Sequence, residues 1–217
     1  MKATARRKRA SIPVRATPLL QRLRTPARAT PQALLALAQR WWERGERFDI
    51  GRMAEELNVS RATVFRWVGS RELLYGEVIS SLFEAALALA LQGTRGTGAT
   101  RVAAVTRKLM AGLIAHAPLQ TFVKQDTEYA LRVLMSKSST VEQRCAASVL
   151  AALQEEAARG HIAPAMKLED LAYLIVRIGE SFLYREAITG EVDGSGIESA
   201  ITAIRILVAA RRGAESD

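Results

Sequence analysis

Cysteine is nearly missing from this chain. Among 217 residues only Cys145 is present, so no intrachain disulfide can form, as suits a reducing cytoplasm. Histidine is almost as scarce. His116 and His161 stand apart, and no His/Cys/Asp spacing marks a metal site, so neither a metal nor another cofactor is expected. Nowhere do about 18 uncharged apolar residues run together. The most apolar stretch, SLFEAALALALQG (81–93), is too short to span a bilayer and contains Glu84, so no membrane span is expected. No apolar segment follows the basic N-terminal run, which argues against a secretory signal. No segment alternates convincingly as a strand. The glycine-rich QGTRGTGAT (92–100) lacks the Lys-Ser/Thr of a phosphate-cradling loop and reads as a plain connector. Nor is there a nucleophile–base pair or metal constellation on which to build an enzyme.

Acidic residues are absent from the first thirty positions, which carry Lys2, Arg6, Arg7, Lys8, Arg9, Arg15, Arg22, Arg24 and Arg28. Removing these nine from the 31 basic residues leaves 22, matched by 22 acidic ones. The net charge of +9 therefore belongs to an arm, residues 1–29, and not to a globular surface. Pro13, Pro18 and Pro26 break any long helix there. Two readings stand: a soluble tail, or an arm led by Arg6, Arg7 and Arg9 that lies along nucleic-acid phosphate or in a minor groove. A nucleic-acid module next to the arm would favour the second.

What is plentiful is helical patterning, and 49% apolar residues are enough for a sizeable core. Thr30-Pro31 starts a helix, with Leu34, Leu37, Ala38, Trp41 and Trp42 on one face until Gly45. Asp49 caps a short helix to Leu57, Asn58 takes the left-handed turn, and Ser60 caps a second short helix over about 61–67. Ser70 caps a long helix to about Leu91. Further helices are predicted from Thr100 to His116, over 119–135, from a capping box of Ser139 and Glu142 to Gly160, over 168–187, and from a second box of Ser195 and Glu198 to Arg212. The expectation is an all-α chain of nine helices.

The stretch NVSRATVFRWVGSREL (58–73) bears on function. Ile50, Met53, Ala54, Leu57, Val59, Val64 and Trp67 form the interior of a helix-turn-helix, with small Ala54 where the helices approach and Val59 and Val64 plugging the gap. Ser60, Arg61, Thr63, Phe65, Arg66, Ser70 and Arg71 lie away from that interior. Arginine reaches guanine edges or phosphate, Thr63 and Phe65 suit thymine methyls, and helix N-termini at Ser60 and Ser70 favour phosphate. The plain alternative is that Arg61, Arg66 and Arg71 only solvate a surface. Glu55, Glu56 and Glu72 reduce the local positive field, which makes the basic arm more useful.

FDIGRMAEELNVSRATVFRWVGSRELLYGEVI (48–79) resembles the DNA-binding signature of the TetR family of bacterial transcriptional regulators. RWVGSRELLYGEVI and LIVRIGESFLYREAITGE (174–191) more narrowly resemble its QsdR-type branch, linked to degradation of quorum-signal lactones. The resemblance implies a three-helix DNA-binding domain, here 30–76, and a helical ligand-binding and dimerisation domain, here 77–217. Three positions depart from the pattern: Phe65 stands where tyrosine is common, Trp67 for histidine, and Arg71 for lysine. The first removes a hydroxyl contact to phosphate; the last keeps the charge as a planar fork.

In the second domain Leu119, Phe122, Asp126, Tyr129 and Val133 share a face. Asp126 either sits wet at its edge or lines a cavity and binds a polar group of a ligand. Tyr173, Arg177, Glu180 and Tyr184 form a stripe. Arg177 and Glu180 either pair across one turn or, with the tyrosines, reach a pocket or dimer seam. Met110 reads as core or as an adaptable pocket wall. The resemblance implies that the last two long helices build a four-helix dimer interface, for which Ile197, Ile201, Ile204 and Val208 qualify. The expected protein is a cytoplasmic, nucleoid-associated, homodimeric repressor. It would bind a near-palindromic double-stranded DNA operator and be released by a small, mostly apolar effector, lactone-like if the branch resemblance carries over. A DNA-binding scaffold dimer without a ligand would use the same module.

Overall fold

Short polar residues start the first four helices by accepting backbone N–H groups that have no partner within the helix. Thr30 does so for Ala33 at the head of α1 (Pro31–Glu43), with Pro31 in the first turn. Asp49 does so for Gly51 and Arg52 at α2 (Ile50–Glu56). Ser60 takes the Thr63 N–H at α3 (Arg61–Val68), and Ser70 takes that of Leu73 at α4 (Arg71–Gln92). Between α2 and α3, Asn58 adopts φ 53°, the left-handed turn its short amide side chain tolerates.

The computed structural model describes residues 29–135, 139–189, 191 and 194–209. After α4 follow α5 (Gly98–Ala115), α6 (Ala117–Gln125), α7 (Thr127–Met135), α8 (Val141–Ala158), α9 (Leu168–Thr189) and α10 (Gly194–Ala209). The described residues thus form ten helices and no strand, one helix more than the expected nine. The extra one arises at Asp126. The predicted helix over 119–135 is two helices, because Asp126 leaves the helical region (φ −156°, ψ 79°) and its carboxylate accepts the Tyr129 N–H at 3.0 Å.

The predicted capping box of Ser139 and Glu142 is displaced: Thr140 occupies the N-cap position of α8, and the Ser139 hydroxyl accepts the Val141 N–H at 3.2 Å. Glu142 and Glu198 find arginines on neighbouring helices, Arg177 and Arg107 respectively. Helix α5 begins at Gly98, earlier than the predicted Thr100. There the Gly98 N–H is held by the Glu156 carboxylate at 2.7 Å. Its φ is +67°, and a Cβ would stand 2.8 Å from the His161 carbonyl oxygen, so both the conformation and the space require glycine.

Helix α4 is the spine. It runs from the small N-terminal module into the rest of the chain, packing against α1, α5, α7 and α8. By length and composition it is apolar enough to cross a bilayer, the one such helix among the described residues. Half of its apolar window is instead buried inside the protein, and Glu77 and Glu84 on its outer side ion-pair with Arg144 of α8. Helix α9 lies mainly along α8, and α10 along α5. Buried side chains of α1 to α3 and of the helices behind them belong to one continuous apolar cluster, from Leu34 to Val208.

Candidate nucleic-acid interface and ligand cavity

The interior of the N-terminal module is built from residues at helical spacing. Ile50, Met53, Ala54 and Val64 are buried, with Val64 fully so, and Val59 and Trp67 half-cover the core. With Val64 turned inward, the 3.6-residue period turns Arg61, Ala62, Phe65 and Arg66 outward. Phe65 is 44% exposed, a large ring on a polar surface. Arg66 has no ion pair or hydrogen bond among the described residues. Thr63 is half-buried and its hydroxyl lies 3.0 Å from that of Ser60, so this pair is engaged locally. The hydroxyls of Ser60 and Ser70 cap their helices. Arg61 folds back toward α2: its guanidinium carbon lies 3.4 Å from where a Cβ on Gly51 would stand. Asp49 is held below the usual carboxylate range, first by the Arg52 N–H and with a contribution from the charge of Arg61. Arg6, Arg7 and Arg9 lie outside the described residues.

Arg71 opens α4 and reaches α7. Its Nε donates to the Tyr129 hydroxyl at 3.0 Å, and the guanidinium sits 5.0 Å from the ring centroid. Burial, against the opposing pull of Arg71, pushes the Tyr129 phenol up to about 12. Tyr129 was expected at the ligand and Arg71 at the DNA; the structure joins them to each other. Around them Phe48 stacks on Tyr75 (3.9 Å between centroids), Tyr75 on Phe122 (4.9 Å), and Phe122 meets Trp42 (5.3 Å). Aromatic contacts therefore run unbroken from α7 through the N-terminal module to Trp42.

Trp42 forms one wall of a cavity of about 330 Å³, enclosed by α1, α4, α5, α8 and α9 with contributions from α6 and α7. Its lining is overwhelmingly apolar. The exceptions are Thr106, His116, Cys145, Glu180 and Tyr184. The Thr106 hydroxyl donates to the Val102 carbonyl within α5. Burial pushes the Cys145 thiol up to about 12, so it behaves as a small apolar side chain. His116 Nε2 accepts the Trp42 indole N–H at 3.0 Å, which requires an unprotonated Nε2 and places the imidazole proton on Nδ1. Glu180 is pushed up by burial, with Arg177 opposing and Glu142 reinforcing, and its Oε2 accepts from Arg177 Nη1 at 2.8 Å. The Tyr184 hydroxyl is buried without a hydrogen-bond partner.

Of the expected ligand residues, Met110 and Tyr184 line this cavity. The other six stand elsewhere. Phe122, Asp126 and Tyr129 border a small cleft of about 60 Å³ beside Arg71, because the break at Asp126 turns α6 and α7 apart. Asp126 is exposed and occupied with its cap. Val133 is core. Tyr173 is 45% exposed on the outer side of α9. Arg177 stands behind the wall, pairing across one turn with Glu180 and, at 3.4 Å, with Glu142.

The proposed dimer residues also need correcting. Ile201, Ile204 and Val208 are buried within the chain itself: Ile201 packs with Ala103 and Met110 of α5, and Ile204 and Val208 join the main core. Ile197 half-covers the Ile201 cluster. The apolar stripe of α10 was legible, but its partner is α5. The outward face of α10 carries Thr202, Arg205 and Ile206, the last 61% exposed.

Sequence reasoning missed His116 and Trp42 as cavity residues. No spacing pattern pointed to them, since their bond joins positions 74 residues apart.

Residues 97–209, just over half of the chain, match the family model described as Tetracyclin repressor-like, C-terminal domain. No curated protein matches by sequence. Among solved structures, the chain is similar to the transcriptional repressor QsdR of R. erythropolis, from the TetR family. The TM-score is 0.75 at 24% identity, over 86% of this chain and 97% of that one. It is also similar to the TetR family repressor AlkX of Dietzia sp., with a TM-score of 0.58 at 18% identity, over 84% and 99% of the two chains. A third similar structure is the transcriptional regulator FadR of Bacillus subtilis in complex with stearoyl-CoA, with a TM-score of 0.51 at 11% identity, over 83% and 98%. At these identities the likeness concerns the fold.

Proposed function

Because the chain belongs to the TetR family of ligand-responsive, DNA-binding transcriptional regulators, we propose that it is a homodimeric repressor. It acts in the cytoplasm at the nucleoid, on a near-palindromic operator, and a small, mostly apolar, lactone-like effector releases it. In this reading residues 30–76 are the operator-reading domain and 77–217 the effector-binding and dimerisation domain. The basic arm, Arg6, Arg7 and Arg9 included, adds phosphate contacts. Arg66 and Phe65 face the major groove, Arg61 joins them by leaving the neighbourhood of Asp49, and the N-termini at Ser60 and Ser70 face phosphate.

The observation that carries the reading is the position of Trp42. It belongs to the first helix of the operator-reading module and is also a wall of the apolar cavity, tied by its indole N–H to His116 at the end of α5. An effector in the cavity touches the module directly. It favours whichever placement of α1 and α4 gives it the better contacts, and its differential affinity for the two placements sets the size of the response.

Selecting bound duplexes from a random DNA pool tests this. The expected product is a near-palindrome with half-sites about 34–36 Å apart, one DNA turn. On that sequence Arg66→Ala is expected to lose about 1–3 kcal/mol of binding while the dimer persists. Enrichment of no sequence would remove the operator reading, and unchanged affinity in the variant would remove Arg66 from the reading face.

A further inference from the structure

Several arginines bridge neighbouring helices in this protein, and carboxylates meet them. Arg101 of α5 reaches Glu156 of α8, and Arg107 of α5 reaches Glu198 of α10. Arg144 of α8 reaches Glu77 and Glu84 of α4, and Arg177 of α9 reaches Glu142 of α8. Arg71 departs from this pattern. It crosses from α4 to α7, yet its partner is the neutral hydroxyl and ring of Tyr129. Among the described residues it forms no ion pair, although Glu72 follows it in sequence.

The docked position is therefore lightly held. Arg71 is exposed, so water can replace the phenol at little cost. Arg47, also exposed and without an ion pair among the described residues, borders the same cleft, and its like charge opposes the docking. A phenol oxygen offers the guanidinium one hydrogen bond. A phosphate offers two parallel, charge-assisted ones that match its planar fork. The place of Arg71 in the chain puts it near such a group. It is the first residue of α4, directly after the Ser70 cap and two residues beyond Gly69, which ends the outward-facing α3. A helix N-terminus favours phosphate by itself.

We propose that Tyr129 and an operator phosphate compete for Arg71. Without DNA the guanidinium is docked on α7; on the operator it turns to the phosphate beside the α4 N-terminus. The Tyr129 hydroxyl is thus a restraint on DNA binding, and through it α7 has a direct hold on the reading module. Competition of this kind rests on the module reading an operator, as proposed above.

The full-length protein is tested on the duplex that pool selection yields, with affinity measured over a series of salt concentrations. Tyr129→Phe keeps the ring and removes the acceptor, and is expected to bind the duplex about fivefold more tightly. Arg71→Ala is expected to bind more weakly and to lower the slope of log affinity against log salt by about one, as loss of one phosphate contact does. Adding Tyr129→Phe to Arg71→Ala should then change nothing further, because the hydroxyl acts only by withholding that guanidinium. A gain that came merely from loosened packing would persist in the double variant. Unchanged or weaker binding by Tyr129→Phe, a gain that persists without Arg71, or an unchanged salt slope in Arg71→Ala each overturns the competition. The operator reading survives any of these, since the parent protein still binds its selected duplex. If the parent enriches no duplex, the operator reading falls first, and this inference with it.

Discussion

Glu156 shows what a single side chain holds together. It is 2% exposed, yet it is ionised and fully engaged: Oε1 accepts from Arg101 at 2.8 Å, and Oε2 accepts from the Gly98 amide at 2.7 Å and faces His161 Nδ1 at 3.2 Å. Burial pushes its carboxyl up, but the Gly98 amide, the charge of Arg101 and the His161 contact together hold it below the ordinary value. A depressed carboxylate contributes stability that is present above its unfolded value and is lost as pH falls through the lower folded one. Glu156→Gln leaves Arg101 without its counter-charge and is expected to cost about 3 kcal/mol at neutral pH in denaturant unfolding. Below about 4.5 the gap between the variant and the parent chain should narrow, because the parent is losing the same interaction. A gap independent of pH would show that the ion pair is not its source.

At the scale of elements, the junction of α6 and α7 decides which side chains see the cavity. One carboxylate, that of Asp126, accepts the Tyr129 N–H and starts a new helix where the apolar pattern runs on. The turn places Phe122 and Tyr129 against Tyr75, and Tyr129 against Arg71, at the seam with the N-terminal module. Asp126→Ala is expected to lower stability by about 1 kcal/mol, as loss of a helix cap does. It should leave effector affinity unchanged, since the carboxylate does not line the cavity. A calorimetric titration showing weakened effector binding would return Asp126 to the site. The helices themselves were largely legible. Thr30, Asp49, Ser60 and Ser70 cap as their spacing implies, because a cap needs only a short side chain and a helix three residues away. Glu142 turns instead to Arg177, 35 residues away in sequence, and Thr140 takes the cap position expected of Ser139.

For the whole molecule, the homodimer proposed above needs a surface to meet a second copy. The inward stripe of α10 is closed against α5, so the face of α10 free for that role is the outward one, where Ile206 leaves a large apolar side chain in solvent. Ile206→Glu is expected to shift the protein from dimer to monomer in light scattering and to lose operator retention with it, as two half-sites need two linked readers. A dimer unaffected by this change would place the seam elsewhere on the surface.

The sequence by itself determined what depends on near neighbours: the all-helical class, the caps of α1 to α4, the left-handed turn at Asn58, and the outward turn of Arg61, Phe65 and Arg66 on α3. These follow from the helical period and from hydrogen bonds spanning three or four residues. Only the tertiary structure decided what depends on which helix lies beside which. It made Ile201 interior, set Arg71 against Tyr129, brought His116 to Trp42 and left the buried Tyr184 hydroxyl without a partner. Period names the apolar face of a helix, but its neighbour is selected by packing across the whole core, and no local spacing encodes that choice.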